Sequence, residues 1–420
     1  MRAGRPALPA KGRTQNINVN APLKVLHVST VDLGISFLLP QLRALAADGF
    51  EVHAACADGP LVPSFEREGI KVHRIEVTRE LTPLADLKLL RQLFRIMRRE
   101  RYAVVHTHTP KMELVGQLAA WLARVPVILY TNHGLIFLGR KDALEGHMFK
   151  TVARVAGLFS DKVISQSAED VSTVLREKIY PRRKVGLLGN GIDISSLRAE
   201  RFTPEEVRAK RCELGIPVGD RVVGMVGRYV WEKGYREFFE AARIILSEDR
   251  RVSFVTVGVP LESERDPVDF SVLRELGVEE KFFVLKSRSD MPELYALMDV
   301  VALPSYREGF PRSLMEAAAM SKPVVASDVS GCRQAVVEGE NGYLVPLKDS
   351  EALASKIKLL LDDSALAARL GARGRALAEE RFDVEKVIER LRGFYEELLE
   401  RKLPGYERAS RVGVVESYEG

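Results

Sequence analysis

A chain of 420 residues is too long for one ordinary domain and suits two of roughly 180 residues each. Apolar residues make up 46% and charged residues 29%, so each half can bury a full core. Of the formal net charge of +5, Arg2, Arg5, Lys11 and Arg13 supply +4 ahead of any acid. The pI near 9.0 therefore describes a basic leader, not a nucleic-acid-binding surface.

Residues 1–22 are read as that leader, flexible and rich in Pro, Ala and Asn. They are basic and acid-free like a transit peptide, but lack serine and an amphipathic face. Cys56, Cys212 and Cys332 are odd in number and widely spaced, which indicates neither a disulfide framework nor a zinc site and fits a reducing compartment. No apolar run reaches the roughly 18 residues of a membrane span, so a soluble or peripheral protein is expected.

The first half alternates strand and helix. Strands are predicted over 24–29, 51–55 and 72–76, and a helix over 37–48, the cadence of a doubly wound sheet. The loop after the first strand holds only Gly34, so the dinucleotide-binding glycine fingerprint is missing. One glycine there permits close approach to a diphosphate, or simply makes a tight turn. A helix over 83–101 places Leu87, Leu90, Phe94 and Met97 on an apolar face. Lys88, Arg91, Arg95 and Arg98 form a basic stripe beside it, either a solvated face or a contact for anionic lipid headgroups. His106 and His108 follow a strand beginning at Tyr102. His-x-His can open a metal site, but no third ligand follows at suitable spacing.

Strands over 163–166 and 184–188 precede Asn190-Gly191-Ile192-Asp193, a turn signal that also marks a boundary near residue 195. The second half opens with a strand over 222–227, then Arg228 and Lys233 straddle the loop before a helix over 235–246. Two cations and a helix N-terminus suit a diphosphate: Arg offers a planar fork, Lys a compact charge. Further strands are predicted over 251–258, 282–285 and 322–327. Between the last two, LPSYREGFPRSLMEAAAM ends a buried strand, turns at Gly309 and Pro311, and enters a helix with Ser313 as N-cap. Glu308 thus falls at a strand's carboxyl end, where ligands bind in open parallel sheets. Taken alone, Glu308 is a solvated loop charge and Glu316 a complement to the helix dipole.

Together these segments resemble the family 4 glycosyltransferases, retaining enzymes of GT-B fold. Glu308-Gly309-Phe310-Pro311 with Glu316 resembles the donor-site signature, and Gly227-Arg228 with Lys233-Gly234 the phosphate-site pattern, here with four residues between the cations. Asn190-Gly191-Ile192-Asp193 is similar to the family's interdomain segment. HTHTPKMELVG and VILYTNHGLIF resemble the capsule-type branch, as does Gly331-Cys332-Arg333, although Gln334 stands where that branch commonly has Glu. The resemblance covers residues 23–400.

The resemblance implies an α/β architecture of two Rossmann-like domains facing a central cleft. Residues 23–195 would bind the acceptor and 196–383 the nucleotide sugar; a helix over 384–402 would cross back, and 403–420 form a tail. It implies that Arg228 and Lys233 hold the diphosphate, Glu308 the donor-sugar hydroxyls and Glu316 the ribose. His133 would point toward donor sugar and diphosphate, with Gly34, Asn190, Arg288, Gly309, Phe310 and Pro311 also lining the donor site. His108 and Lys111 would face the acceptor. The reaction implied is metal-independent, front-face transfer from a UDP-hexose or UDP-N-acetylhexosamine to a lipid-linked saccharide at the inner face of the cell membrane, in bacterial surface polysaccharide assembly. No cofactor is expected, and the absence of any Asp-x-Asp agrees with a metal-independent site. A sugar-nucleotide epimerase, an NAD-linked oxidoreductase and a non-catalytic scaffold are the other classes weighed; the missing glycine fingerprint speaks against NAD.

Overall fold

A computed structural model describes residues 15–78, 82–135, 143–258, 266–286 and 288–406. The chain divides into two compact units. One comprises Met1–Ser165, Val171–Leu188 and Ile388–Gly420; the other comprises residues 166–170 and Gly189–Val387.

The first unit is built on seven parallel strands: β1 (Lys24–Val28), β2 (Glu51–Cys56), β3 (Lys71–Arg74), β4 (Val104–Thr107), β5 (Val127–Asn132), β6 (Lys162–Ser165) and β7 (Val185–Leu187). Their order is β3-β2-β1-β4-β5-β6-β7. The central strands are buried on both faces, which is why they read as apolar runs and not as alternating ones. The order reverses between β1 and β4, whose register pairs Val25 with Val104 and His27 with His106.

Three expectations shift here. The helix predicted over 37–48 is Leu39–Ala47, and the loop before it holds a further short helix, Asp32–Ser36, so Gly34 lies in a helical turn. β4 begins two residues later than Tyr102, which places His106 inside the strand. Gln15 already belongs to the fold: its amide donates to the Ala123 carbonyl at 2.6 Å and its backbone N–H to the Arg124 carbonyl, so the leader ends before it; residues 1–14 lie outside the described residues.

The second unit carries six parallel strands: β8 (Arg221–Val226), β9 (Val252–Gly258), β10 (Phe282–Lys286), β11 (Val300–Leu303), β12 (Val324–Ser327) and β13 (Gly342–Val345). Their order is β10-β9-β8-β11-β12-β13, with the reversal between β8 and β11. Both units are therefore doubly wound parallel sheets, and each has a topological switch point where loops from adjacent strands diverge. The helix Val384–Lys402 begins in the second unit and ends in the first. Among the described residues, no helix is long and apolar enough to cross a membrane.

Candidate active site

The loops after β8 and β11 meet at the switch point of the second unit. Lys233 ends a 3-10 turn, Trp231–Lys233, just before the helix Tyr235–Glu248. Its ammonium donates to Glu308 Oε1 at 2.6 Å, with the two side chains only 15% and 9% exposed. A charge-assisted contact this short in a sheltered site fixes both groups. Arg228 is half-buried just beyond β8. Two cations, a helix N-terminus and a carboxylate thus lie on the loops that leave the carboxyl ends of adjacent strands.

The frame that holds this pair was not legible in the motifs. The Glu232 carbonyl accepts from the Tyr306 backbone N–H at 2.9 Å and from the Ser305 hydroxyl at 3.3 Å, while Arg307 pairs with the Glu232 carboxylate at 3.0 Å. The Tyr306 hydroxyl donates to Glu237 on the following helix. Two glycines permit this closeness. Gly234, at φ +82°, leaves no room for a Cβ, which would meet the Pro304 carbonyl oxygen at 2.0 Å. A Cβ at Gly331 would come within 2.4 Å of the Glu308 carbonyl oxygen.

The segment after Glu308 is pinned from the other side. Asn190 Nδ2 donates to the Phe310 carbonyl at 3.2 Å, and the Phe310 ring meets Phe382 edge-on at 5.7 Å. Gly309 is half-buried between these anchors. Pro311, not Ser313, is the N-cap of the helix Arg312–Ala319, because its fixed φ of −70° pre-shapes the turn and its missing N–H costs no bond there. Glu316 projects from that helix, and the Tyr295 hydroxyl donates to its Oε2 at 3.0 Å. Burial raises the Glu316 pKa, while nearby Arg312 and the Tyr295 hydrogen bond oppose the rise. Arg288 is taken up elsewhere: its guanidinium binds Asp290 and reaches Glu213 at 3.3 Å.

In the first unit, Gly34 packs against the end of β1, where a Cβ would strike Ser29 Oγ at 2.2 Å. Lys111 is buried, its side chain 3% exposed, and its ammonium donates to Asp86 Oδ1 at 2.7 Å and Thr78 Oγ1 at 3.1 Å. An acceptor role would require breaking that pair. His133 is exposed beyond β5, and its Nε2 lies 3.3 Å from Nδ1 of the buried His108. Contrary to the expectation from spacing, a third imidazole does join His106 and His108: His27, from β1, brings the three sets of ligand atoms within 4.8 Å. It was missed because it lies some 80 residues away in sequence and adjacent only through sheet pairing.

Residues 206–377 match the family model of glycosyl transferases group 1, and residues 37–191 that of the glycosyl transferase 4-like domain. The chain is 28% identical over 379 residues to the Staphylococcus aureus capsular polysaccharide biosynthesis glycosyltransferase CapM, covering 90% of this chain and 97% of that one. It is 24% identical over 391 residues to the Escherichia coli UDP-Gal:alpha-D-GlcNAc-diphosphoundecaprenol alpha-1,3-galactosyltransferase, covering 92% and 100%. Among solved structures it is similar to Anabaena HepE in complex with UDP and glucose, at a TM-score of 0.75 and 26% identity over 89% and 99% of the two chains. Two Rossmann-like sheets, the second wholly and the first all but β1 inside a matched domain, define a glycosyltransferase of the GT-B class. The chain belongs to glycosyltransferase family 4, in its capsule-type branch.

Proposed function

We propose that this protein transfers a hexose or N-acetylhexosamine, with retention, from a UDP donor to a lipid-linked saccharide in bacterial surface polysaccharide assembly. The observation that carries the reading is the Lys233–Glu308 pair at the β8/β11 switch point. The names of the capsule glycosyltransferase and of the diphosphoundecaprenol-acting galactosyltransferase supply the acceptor class, and the UDP complex of HepE the nucleotide.

A nucleotide sugar already carries its leaving group, so catalysis reduces to stabilising charge that develops on the diphosphate and placing an acceptor hydroxyl. Arg228 and Lys233, with the backbone donors of the Tyr235 helix, meet that charge without a metal. Glu308 holds donor-sugar hydroxyls and Glu316 accepts from the ribose, in a front-face displacement through an oxocarbenium-like state with no covalent intermediate. The test is calorimetric titration with UDP, GDP and a panel of sugar nucleotides, with and without EDTA. Micromolar binding of one UDP-sugar, indifferent to chelation and lost in Lys233→Ala, is expected; binding of none of them would overturn the reading.

Peripheral attachment to the cytoplasmic face of the membrane is part of the same proposal. A cavity of about 650 Å³ beside the helix Pro83–Glu100 is lined by Arg74, Lys88, Arg91, Arg95 and Arg99. These cations lie around a groove instead of along a flat stripe, and Arg98 lies outside it. Anionic headgroups gain about 1 kcal/mol per nearby Lys or Arg. Changing Arg91 and Arg95 to Glu should abolish sedimentation with anionic liposomes; unchanged sedimentation would end this part of the proposal.

A further inference from the structure

The groove beside the helix Pro83–Glu100 offers a ligand more than positive charge. It runs along β3, the edge strand of the first sheet, and Gln92 ties the helix to that strand and the residues just beyond it. The Gln92 amide donates to the Arg74 carbonyl at 3.2 Å, and the Glu76 backbone N–H donates to Gln92 Oε1 at 3.2 Å. Some of the cations around the groove are already compensated: Arg74 pairs with Asp58 and Glu66, and Arg99 with Glu100. Lys88, Arg91 and Arg95 follow one helical stripe and have no ion pair or hydrogen bond among the described residues. Three uncompensated cations in one groove attract an anion.

His73 lines the same groove and is 9% exposed. Its Nε2 lies 2.8 Å from the Tyr102 hydroxyl, that hydroxyl lies 2.7 Å from His53 Nδ1, and His53 Nε2 lies 2.9 Å from Glu51 Oε1. His73 Nδ1 has no partner among the described residues. The Glu51 carboxylate gives this chain its direction, because a carboxylate only accepts and His53 must donate to it from Nε2. Burial lowers the His53 pKa, outweighing the neighbouring Glu51, and lowers that of His73 to about 4, so near neutral pH each ring has one N–H and one lone pair. His53 Nδ1 is then bare and accepts from the Tyr102 hydroxyl. The Tyr102 oxygen, its single proton committed, accepts from His73 Nε2–H. His73 is left with a lone pair on Nδ1, an acceptor in a groove whose other polar side chains are mostly donors.

We propose that this groove is a headgroup site for a phospholipid whose phosphodiester lies against Lys88, Arg91 and Arg95 and whose free hydroxyl donates to His73 Nδ1, the chemistry of phosphatidylglycerol. The inference rests on the reading of the groove as the membrane contact and names the lipid that it takes. A phosphodiester has oxygens that accept and no proton to give, so it satisfies the cations and leaves His73 without a donor. An ammonium headgroup could donate to His73 only by bringing its charge against the three cations. A headgroup hydroxyl completes the set without that repulsion. At about 650 Å³ the groove has the size of a small-ligand site.

Sedimentation of the full chain with phosphatidylcholine vesicles holding equal fractions of phosphatidylglycerol or phosphatidylmethanol tests this. Both added lipids are singly charged phosphodiesters, and only the first has headgroup hydroxyls. Wild type should bind the phosphatidylglycerol vesicles roughly fivefold more tightly, the worth of one hydrogen bond. His73→Phe should keep its binding to phosphatidylmethanol and lose the preference, because it removes an acceptor and not a charge. If His73→Phe does not fold, Glu51→Gln serves: an amide can donate as well as accept, so the direction of the chain is no longer imposed and the preference should fall. Long-range ¹H–¹⁵N spectra of ring-labelled histidine should show His73 with a protonated Nε2 and a bare Nδ1, and soluble dihexanoyl phosphatidylglycerol should shift that Nδ1 resonance. Equal binding of wild type to the two vesicles overturns this inference and leaves the electrostatic contact standing, whereas binding to neither overturns both. A His73 protonated at Nδ1 overturns it as well, and so does saturation of the groove by glycerol phosphate with no gain from the vesicle, which would assign it to a soluble ligand.

Discussion

The Lys233 ammonium stands 2.6 Å from Glu308 Oε1 and joins the loops that leave β8 and β11. Each residue thus holds its partner's charge in a sheltered site, and each has a ligand group that can replace that partner. In the proposed function, a diphosphate would take over Lys233 and sugar hydroxyls would take over Glu308. The pair keeps two opposite charges in place at a switch point where either alone would be costly to bury.

Lys233→Ala and Glu308→Ala are each expected to lower kcat/KM by at least thirtyfold, about 2 kcal/mol of transition-state stabilisation. The double variant should lose less than the product of the two, because the partners are coupled. As loop residues they would be expected to leave stability untouched. Since both side chains are mostly buried, each single variant strands a charge and should lose about 1–3 kcal/mol in denaturant unfolding. Strict additivity in rate and stability would refute the coupling.

Gly331→Ala should damage activity without touching any ligand. Its Cβ would come within 2.4 Å of the Glu308 carbonyl oxygen, and backbone cannot yield as a flexible side chain does. A displacement of about 1 Å at a reacting group can cost on the order of a hundredfold in rate. Kinetics of the purified variant, with a circular dichroism spectrum to show that it folds, measure this.

Buried neutral histidines set the acid limit of stability. Burial lowers the folded pKa of His27 to about 3, and lowers those of His106 and His108 as well. The unfolded chain therefore binds more protons below about pH 6.5, and each ring contributes stability that is present above that pH and lost as pH falls. His27→Gln should release one proton fewer on refolding from acid, read as a shallower slope of unfolding free energy against pH between about 4 and 6.5.

Glu113 works in the opposite direction. Burial raises its pKa to about 7, while hydrogen bonds from Tyr180 and Tyr130 oppose the rise. The native state holds a proton that the unfolded state releases, so this residue's contribution falls as pH rises from about 4.5 to 7 and is level beyond. The stability difference between wild type and Glu113→Gln should shift across that window in favour of the variant; a flat difference would show that Glu113 is already ionised.

Strands and signature loops were legible because their information is local. Apolar runs of four to seven residues mark β8, β9, β11 and β12, and Gly and Pro punctuate the loops. What failed was phase and long-range partnership. In the helix Pro83–Glu100 the buried face is Leu89, Leu93 and Met97, whereas Leu87 is 44% exposed. Leucines at 84, 87, 89, 90 and 93 offer two neighbouring stripes of helical spacing, and only packing against the sheet chooses between them. Lys111 reads as a ligand-facing cation until Asp86, on a different helix, is brought to its ammonium. Tyr395, which joins two histidines of strands far apart in sequence, carries no local signal at all.

The closing helix gives the chain a particular order of completion during synthesis. Arg392 pairs with Asp48 at 2.6 Å, Tyr395 joins His27 to His106, and Lys402 pairs with Asp161 at 2.6 Å, so the first unit takes its last pieces from residues beyond 387. Domains generally fold as they emerge from the ribosome, amino end first. Here the first sheet must wait, with part of its core open, while Gly189–Val387 is translated in full. A nascent chain stalled before residue 388 would expose that unfinished core to chaperones and proteases, and only the last stretch of translation closes it.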